Sequence, residues 1–216
     1  MISFQRYRDL FGVPEVRSAA VGSVVARLPI GLTGLAILLF VQNRTGSFAL
    51  AGGAGALYVL GLAIIAPFLG RLIDRLGPRP VLLACAMLYP VALLALAVLV
   101  LAGAHPISIG AIAFTAGASL PPVSACIRSL YPRLIADPAL IQTAYLVDSA
   151  LVEMVFILGP TLVAACVATG YPEAAILLAA LSAGGGTVYF ARVPPIARWA
   201  PAPLQRNRSW WGALGP

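Results

Sequence analysis

Charged side chains are scarce in this sequence. Of its 216 residues 10% are charged, none of them lysine, while 61% are hydrophobic and the mean hydropathy is +0.96. A soluble domain of this length cannot be covered by so few charges, so the composition excludes a soluble protein and predicts an integral membrane protein. The net charge of +7 comes from arginines that flank apolar runs. We interpret these arginines as topology signals and expect no nucleic-acid partner.

Motifs of enzymes and metal sites are also missing from the sequence. The three cysteines, Cys85, Cys126 and Cys166, fall in separate apolar runs without CxxC spacing, which predicts buried small side chains rather than a disulfide or a metal site. The single histidine, His105, stands beside Pro106 in a short polar joint, and no G-x-S-x-G motif or phosphate-binding loop occurs. We therefore expect a protein that is not an enzyme and that has no catalytic residue, metal or cofactor.

Six apolar runs are long enough to cross a bilayer, which takes about 20 residues each. They cover residues 18–41, 47–69, 81–103, 107–127, 139–169 and 172–191, and short polar joints separate them, among them residues 128–138. The sequence therefore predicts an all-α integral membrane protein with a six-transmembrane-helix bundle over residues 18–191. Residues 1–17 form a cytoplasmic lead-in to this bundle, and the Pro- and Arg-rich residues 192–216 form a cytoplasmic connector or tail.

The placement of arginine predicts the orientation of the bundle. One side of the predicted spans holds twelve of the fourteen arginines: Arg6, Arg8, Arg17, Arg71, Arg75, Arg79, Arg128, Arg133, Arg192, Arg198, Arg206 and Arg208. The opposite side holds Arg44 alone. Because arginine is retained on the cytoplasmic side, we expect both termini in the cytoplasm and a multi-pass protein in the lipid bilayer of the cell (inner or plasma) membrane.

Three ionisable residues fall inside the predicted spans: Arg27 in the first, and Asp148 and Glu153 in the fifth. Such a residue costs about 2.5–3.5 kcal/mol to insert, so these three are the candidates for substrate binding or proton coupling. Arg27 and Asp148 lie at similar depths from the arginine-rich side, which predicts an ion pair that is either functional or a structural clamp. Glu153 lies about 140° around the helix from Asp148. It is either a proton carrier, or it faces a second bundle or a water-filled cavity.

The joint between spans two and three is rich in charges and turn-forming residues. It reads GRLIDRLGPRP over residues 70–80. The pattern G-x-L-x-D-R-x-G-x-R between two membrane helices resembles the signature of the major facilitator superfamily (MFS), which joins its second and third helices. The resemblance implies a conformational gating loop made of Gly70, Asp74, Arg75, Gly77 and Arg79. In that family the aspartate meets a helix end of the second half; here we expect Asp74 to pair with nearby arginines, among them Arg128.

Span five carries a second resemblance. The antiporters of the superfamily have a glycine-rich signature centred on Gly-Pro in this helix, and Gly159-Pro160 is similar to it, with Ala164-Ala165 where further glycines are expected. This partial match favours export by antiport. Span one, however, lacks the acidic residue typical of many drug/proton antiporters and has Ala26-Arg27-Leu28-Pro29 instead. Span four is predicted to lack their arginine, because Arg128 falls at its cytoplasmic end.

Span four presents a smooth face of small residues. Gly110, Ala113, Gly117 and Pro121 recur at helical spacing. Small residues allow close helix packing or leave room for a ligand. Since this helix lines the substrate path in the family that the chain resembles, Gly117 and Pro121 are the cavity-lining candidates.

The resemblance implies an MFS-like N-terminal half built from two three-helix repeats, because the superfamily has two six-helix halves joined by a cytoplasmic connector. The expected function is secondary, proton-coupled transport of a small molecule, in the direction of efflux. The expected partners are that molecule, protons, and a second six-helix half or a homodimer partner. The alternative is a truncated, non-transporting fragment, or a half that must assemble. The sequence shows no clear anion-binding arginine pair and does not name the substrate.

Overall fold

Helices make up all the regular structure in the part of the chain that the computed structural model describes, residues 8 and 10–199. The helices are α1 (Pro14–Thr45), α2 (Phe48–Leu76), α3 (Pro78–Leu101), α4 (Pro106–Ala118), α5 (Val123–Leu134), α6 (Pro138–Ala168), α7 (Glu173–Arg192) and the short α8 (Pro194–Ala197). With α4 and α5 counted as one, they provide the six predicted membrane-length helices. Residues 1–7 and 9 of the lead-in and the tail beyond residue 199 lie outside the described residues.

Proline and glycine set most of the helix boundaries. Proline occupies the first turn of α1, α3, α4 and α6, where the N–H that it lacks has no partner within the helix. The side chain of Asp137 accepts a hydrogen bond from the Ala139 N–H at 2.9 Å and so caps α6. Between α2 and α3 lies one residue, Gly77, with a φ of +83° that glycine adopts without strain. Most of the predicted 70–80 loop therefore belongs to the ends of these two helices.

The fourth span is broken and extends further than the sequence predicted. Its two parts, α4 and α5, are separated at residues 119–122, where Pro121-Pro122 removes two backbone donors and disfavours helical geometry in the residues before them. α5 then continues to Leu134, seven residues beyond the predicted end of the span. The predicted polar joint over residues 128–138 was therefore wrong, and only residues 135–137 connect α5 to α6.

The six spans pack as two related groups of three, which confirms the expected bundle. The first helix of each group packs against the second helix of the other group, as α1 does against α6 and α4 against α2. It also packs against the third helix of the other group, as α1 does against α7 and α4 against α3. The third helices, α3 and α7, contact each other. Each group therefore buries its apolar surface against the other.

Glycine permits the closest of these crossings. A Cβ atom on Gly159 would lie 2.5 Å from the backbone of Gly31, which places the backbones of α6 and α1 in direct contact. A Cβ on Gly117 would lie 1.8 Å from the Tyr58 carbonyl oxygen, and one on Gly61 would lie 2.1 Å from the Phe114 carbonyl oxygen. Small residues are what membrane helices need to approach this closely. The two crossings, α1 with α6 and α2 with α4, are thus built alike.

The interior holds two apolar cores, one at each end of the bundle. The core at the arginine-rich end includes Val81 and Tyr131, and the opposite core includes Phe40 and Leu96. Within the second core, three buried hydroxyl groups are joined. The Thr33 hydroxyl lies 2.6 Å from the Tyr89 hydroxyl, which lies 3.1 Å from that of Tyr58. These bonds link α1, α3 and α2 and satisfy polar groups that would be costly to bury alone.

Two of the six spans have much less of their surface buried inside the bundle than the others. α2 and α6 have the smallest buried share among the spans of the described chain. Their outward faces carry large apolar side chains, including Val59, Ile64 and Phe68 on α2, and Leu146 and Ile157 on α6. These faces are therefore available to lipid or to another apolar bundle.

Candidate functional site

An ionic cluster lies between the two apolar cores. Arg27 on α1 donates from Nη1 to Oδ1 of Asp148 on α6 at 2.5 Å. Arg128 on α5 donates from Nε to Oδ2 of the same carboxylate at 2.9 Å. The ion pair between Arg27 and Asp148 that the sequence predicted is present. A third helix also contributes, because the carboxylate is shared with a second arginine.

The cluster carries a net positive charge, and its three side chains differ in how deeply they are buried. The side chain of Asp148 is fully buried and that of Arg27 is 1% exposed, whereas that of Arg128 is 52% exposed. Two guanidinium groups and one carboxylate leave one positive charge in excess. In addition, Nε and Nη2 of Arg27 are buried without a hydrogen-bond partner in the described chain. Donors on a buried charged group are rarely left unpaired, because their desolvation is not then compensated.

Arg128 lies at a different place from the one that the sequence predicted. Its position in α5, six residues before the end of the helix at Leu134, puts it inside the fourth span rather than at its end. The expectation that span four lacks an arginine was therefore wrong. The expected pairing with Asp74 was also wrong, since Arg128 bonds Asp148 and Asp74 forms no ion pair within the described residues.

A pattern of buried residues could have revealed that the helix continues. The buried positions in α5 are Val123, Cys126, Ile127, Leu130 and Tyr131, which follow helical spacing without interruption. This helical spacing continues beyond Ile127, the last residue of the predicted apolar run. Helical spacing, rather than apolar length, was the informative signal for this segment.

Two tyrosines frame the exposed side of the cluster. The Tyr145 hydroxyl donates to the carbonyl oxygen of Arg128 at 3.2 Å. The rings of Tyr145 and Tyr131 meet edge to face, with their centroids 5.7 Å apart. These contacts join α6 to α5 beside the salt bridge. They fix the backbone from which Arg128 extends.

Glu153 lies apart from the cluster. It is at the midpoint of α6, fifteen residues from either end of this 31-residue helix, and its side chain is exposed whereas Asp148 is buried. The two carboxylates thus face different directions, as their spacing of five residues predicted. In the described chain Glu153 makes no ion pair.

The residues of the expected gating loop lie at the arginine-rich end of α2 and α3. Asp74, Arg75 and Arg79 are exposed, and Gly77 is the buried residue between the helices. Gly70 falls within the last turns of α2. The loop therefore presents its charges outward, away from the bundle.

The remaining candidates lie at helix contacts and breaks. Gly117 touches the backbone of α2 and Gly159 touches that of α1, so both occupy helix crossings. Pro160, next to Gly159, is exposed on α6. Pro121 is buried in the break between α4 and α5. Gly117 therefore packs against α2, which is one of the two roles that small residues allow. The other role, lining a cavity, stays a prediction for this residue.

A bundle of six membrane-length helices with an ionic cluster in its interior has the architecture of a multi-pass integral membrane protein. Residues 19–214 match the family model of the Major Facilitator Superfamily, and the chain belongs to this superfamily. This membership confirms the resemblance seen at residues 70–80.

A relative of the chain supports the same assignment. The chain is 29% identical over 189 residues to a protein of Sinorhizobium fredii (strain NBRC 101917 / NGR234) described as an uncharacterized MFS-type transporter, y4rN. The match covers 87% of this chain and 46% of that protein, so the chain spans about half the length of the relative. No solved structure matches the chain significantly.

Proposed function

We propose that this chain is the N-terminal six-helix half of a secondary transporter that moves a small molecule across the membrane. The match to about half of the y4rN protein supports a half-sized unit. The packing of the six spans in two groups of three is what one half of such a transporter requires. The substrate path would then lie between this bundle and a second one.

The exposure of Glu153 is the observation that carries this proposal. The residue lies at the midpoint of α6, about 22 Å from either end of the helix at 1.5 Å per residue, which is the level of the bilayer centre. A carboxyl group is costly to expose to lipid at this depth. The face of α6 that bears Glu153 is therefore expected to border a water-filled cavity or a second bundle.

The rigidity of the bundle supports transport by alternating access. The glycine crossings of α1 with α6 and of α2 with α4 bring backbones into direct contact, so the half is expected to move as one body. The exposed charges of Asp74, Arg75 and Arg79 at one end are then free to bind a helix end of the second bundle in one state and to release it in the other. In this scheme the loop controls the conformation and does not contact the substrate.

For the coupling ion we propose the proton, with Glu153 as its carrier and export as the direction. A carboxyl group on a water-lined, largely apolar face can exchange a proton with either side as the bundle rocks.

The alternative is a fragment that does not transport. The mass of the purified particle in detergent distinguishes this fragment from the transporter. A single 22.3 kDa chain without a partner would favour the fragment, and a defined complex with a second bundle or second copy would favour the transporter.

Transport by everted membrane vesicles tests the proposal. Vesicles that contain the protein with its second bundle, energised by a proton gradient, are expected to accumulate at least one compound from a panel of labelled small molecules faster than vesicles without it. Glu153→Gln should slow this accumulation at least about tenfold and remove its dependence on pH. Glu15→Gln, at an exposed carboxylate in the first turn of α1, is the matched control and should leave the rate unchanged.

Two results would contradict different parts of this proposal. If no compound is accumulated above the background of empty vesicles, the transport function is wrong. If Glu153→Gln transports with an unaltered pH dependence, the role of Glu153 in coupling is wrong although transport stands.

A further inference from the structure

The ionic cluster lacks one acceptor with a negative charge. Asp148 accepts from Arg27 through one oxygen and from Arg128 through the other, so its single negative charge is shared between two guanidinium groups. Yet Nε and Nη2 of Arg27 remain buried without a partner, and the cluster retains an excess positive charge. A neutral acceptor such as water would accept hydrogen bonds from these donors, but it would not balance the excess positive charge. An anionic group bound beside the cluster would offset the excess charge.

Arg128 is the arginine that such a group can reach. Its side chain is 52% exposed, while that of Arg27 is 1% exposed. Its Nε is held by Asp148, which orients the guanidinium plane, and in the described chain its two Nη groups have no hydrogen-bond acceptor. A guanidinium with two free Nη groups is suited to a planar anion that accepts two parallel hydrogen bonds.

We propose that Arg128, supported by Arg27 and Asp148, binds one carboxylate of the transported compound, which is therefore an organic anion. This inference rests on the proposed transport function. The excess of one charge favours a carboxylate over a phosphate, because a phosphate monoester carries about −1.5 to −2 at neutral pH and would leave the site negative. When the carboxylate binds the two Nη groups, Arg128 keeps its Nε bond to Asp148, and Asp148 remains neutralised by Arg27, so no bare buried charge is left.

Binding can be measured without transport, from the thermal unfolding of the purified protein in detergent. The probes are sodium benzoate, nicotinate and lactate, each compared with its own amide at equal ionic strength. A ligand that binds the folded state raises the midpoint of unfolding. We expect a saturable rise with at least one carboxylate and none with the matching amide.

Variants assign the response to the cluster. Arg128→Gln should abolish the rise, and its fold should survive because Asp148 stays paired with Arg27. Asp148→Asn keeps an amide oxygen that can accept from Nε of Arg128 but removes the competing negative charge, so it should bind the same probe at least about tenfold more tightly, although the variant is less stable. Arg133→Gln, at another arginine of α5 that stacks on Trp199, is the control and should respond like the unaltered protein.

The outcomes separate this inference from the transport proposal. If no carboxylate exceeds its amide, or if the response persists in Arg128→Gln, the inference is overturned whatever the vesicles transport. A carboxylate group supplied by the second bundle would give this negative result, because it would already occupy the site. Saturable binding that requires Arg128 supports a carboxylate site at this cluster even where vesicle transport fails, and in that case the transport proposal alone is overturned.

Discussion

Asp148→Ala is expected to destabilise the folded chain by about 3–5 kcal/mol, the range found when one partner of a buried ion pair is removed. The reason is specific to this cluster. Asp148 neutralises two arginines, and Arg27, at 1% exposure, has no other acceptor in the described chain. Its removal leaves a buried guanidinium without a counter-charge. The free energy of unfolding, measured by titration with SDS in mixed micelles, reports the effect.

Two further variants separate charge from packing at this site. Asp74→Ala removes an exposed carboxylate that forms no ion pair within the described residues, and it should leave the stability nearly unchanged. The double variant Arg27→Met with Asp148→Leu removes both buried partners and should cost much less than Asp148→Ala alone, because no charge is left uncompensated. A loss in the double variant as large as in Asp148→Ala would contradict the ionic explanation.

Gly117→Ala is expected to be the second most damaging single change, and to disrupt the crossing of α2 with α4. The added methyl group would lie 1.8 Å from the Tyr58 carbonyl oxygen, a backbone atom that cannot turn aside as a side chain can. The helices must separate, and overpacking of this kind costs about 1–3 kcal/mol, or more where backbones collide. The same SDS titration measures the loss, and crosslinking between α2 and α4 would report the separation.

Gly53→Ala is the matched control for this prediction. Gly53 lies in α2 as well, with nothing within 4 Å of an added Cβ. Alanine is a better helix former than glycine by about 1 kcal/mol, so this change should be neutral or stabilising. Equal changes in stability at Gly117 and Gly53 would show that the backbones of α2 and α4 are not in direct contact.

The sequence was most informative where a single physical constraint decides the outcome. The cost of placing charge in a bilayer singled out Arg27 and Asp148, and equal depth on two helices was enough to predict their ion pair. The length needed to cross a membrane located all six spans. The pattern over residues 70–80 identified the family, which the match over residues 19–214 then confirmed.

The sequence was least informative where two constraints compete. In span four, the apolar length ends near Ile127 while helical periodicity continues to Tyr131, and the structure follows the periodicity. Arg128 was assigned to a polar joint for this reason. The partners of a shared carboxylate depend on how three helices are rotated, which no pattern in a single helix reveals. The same holds for the contact of Gly117 with the backbone of α2.

Water accessibility at position 153 tests the central claim, that the Glu153 face of α6 borders water at the bilayer centre. In a background in which Cys85, Cys126 and Cys166 are replaced, Glu153→Cys and Leu181→Cys each introduce one thiol near the middle of a membrane helix. Leu181 on α7 is 73% exposed and, on this account, faces lipid. Because a maleimide reacts with the hydrated thiolate, a membrane-impermeant maleimide should label Glu153→Cys rapidly and Leu181→Cys hardly at all. Glu153→Cys as unreactive as Leu181→Cys would show that this face does not border water and would contradict the account.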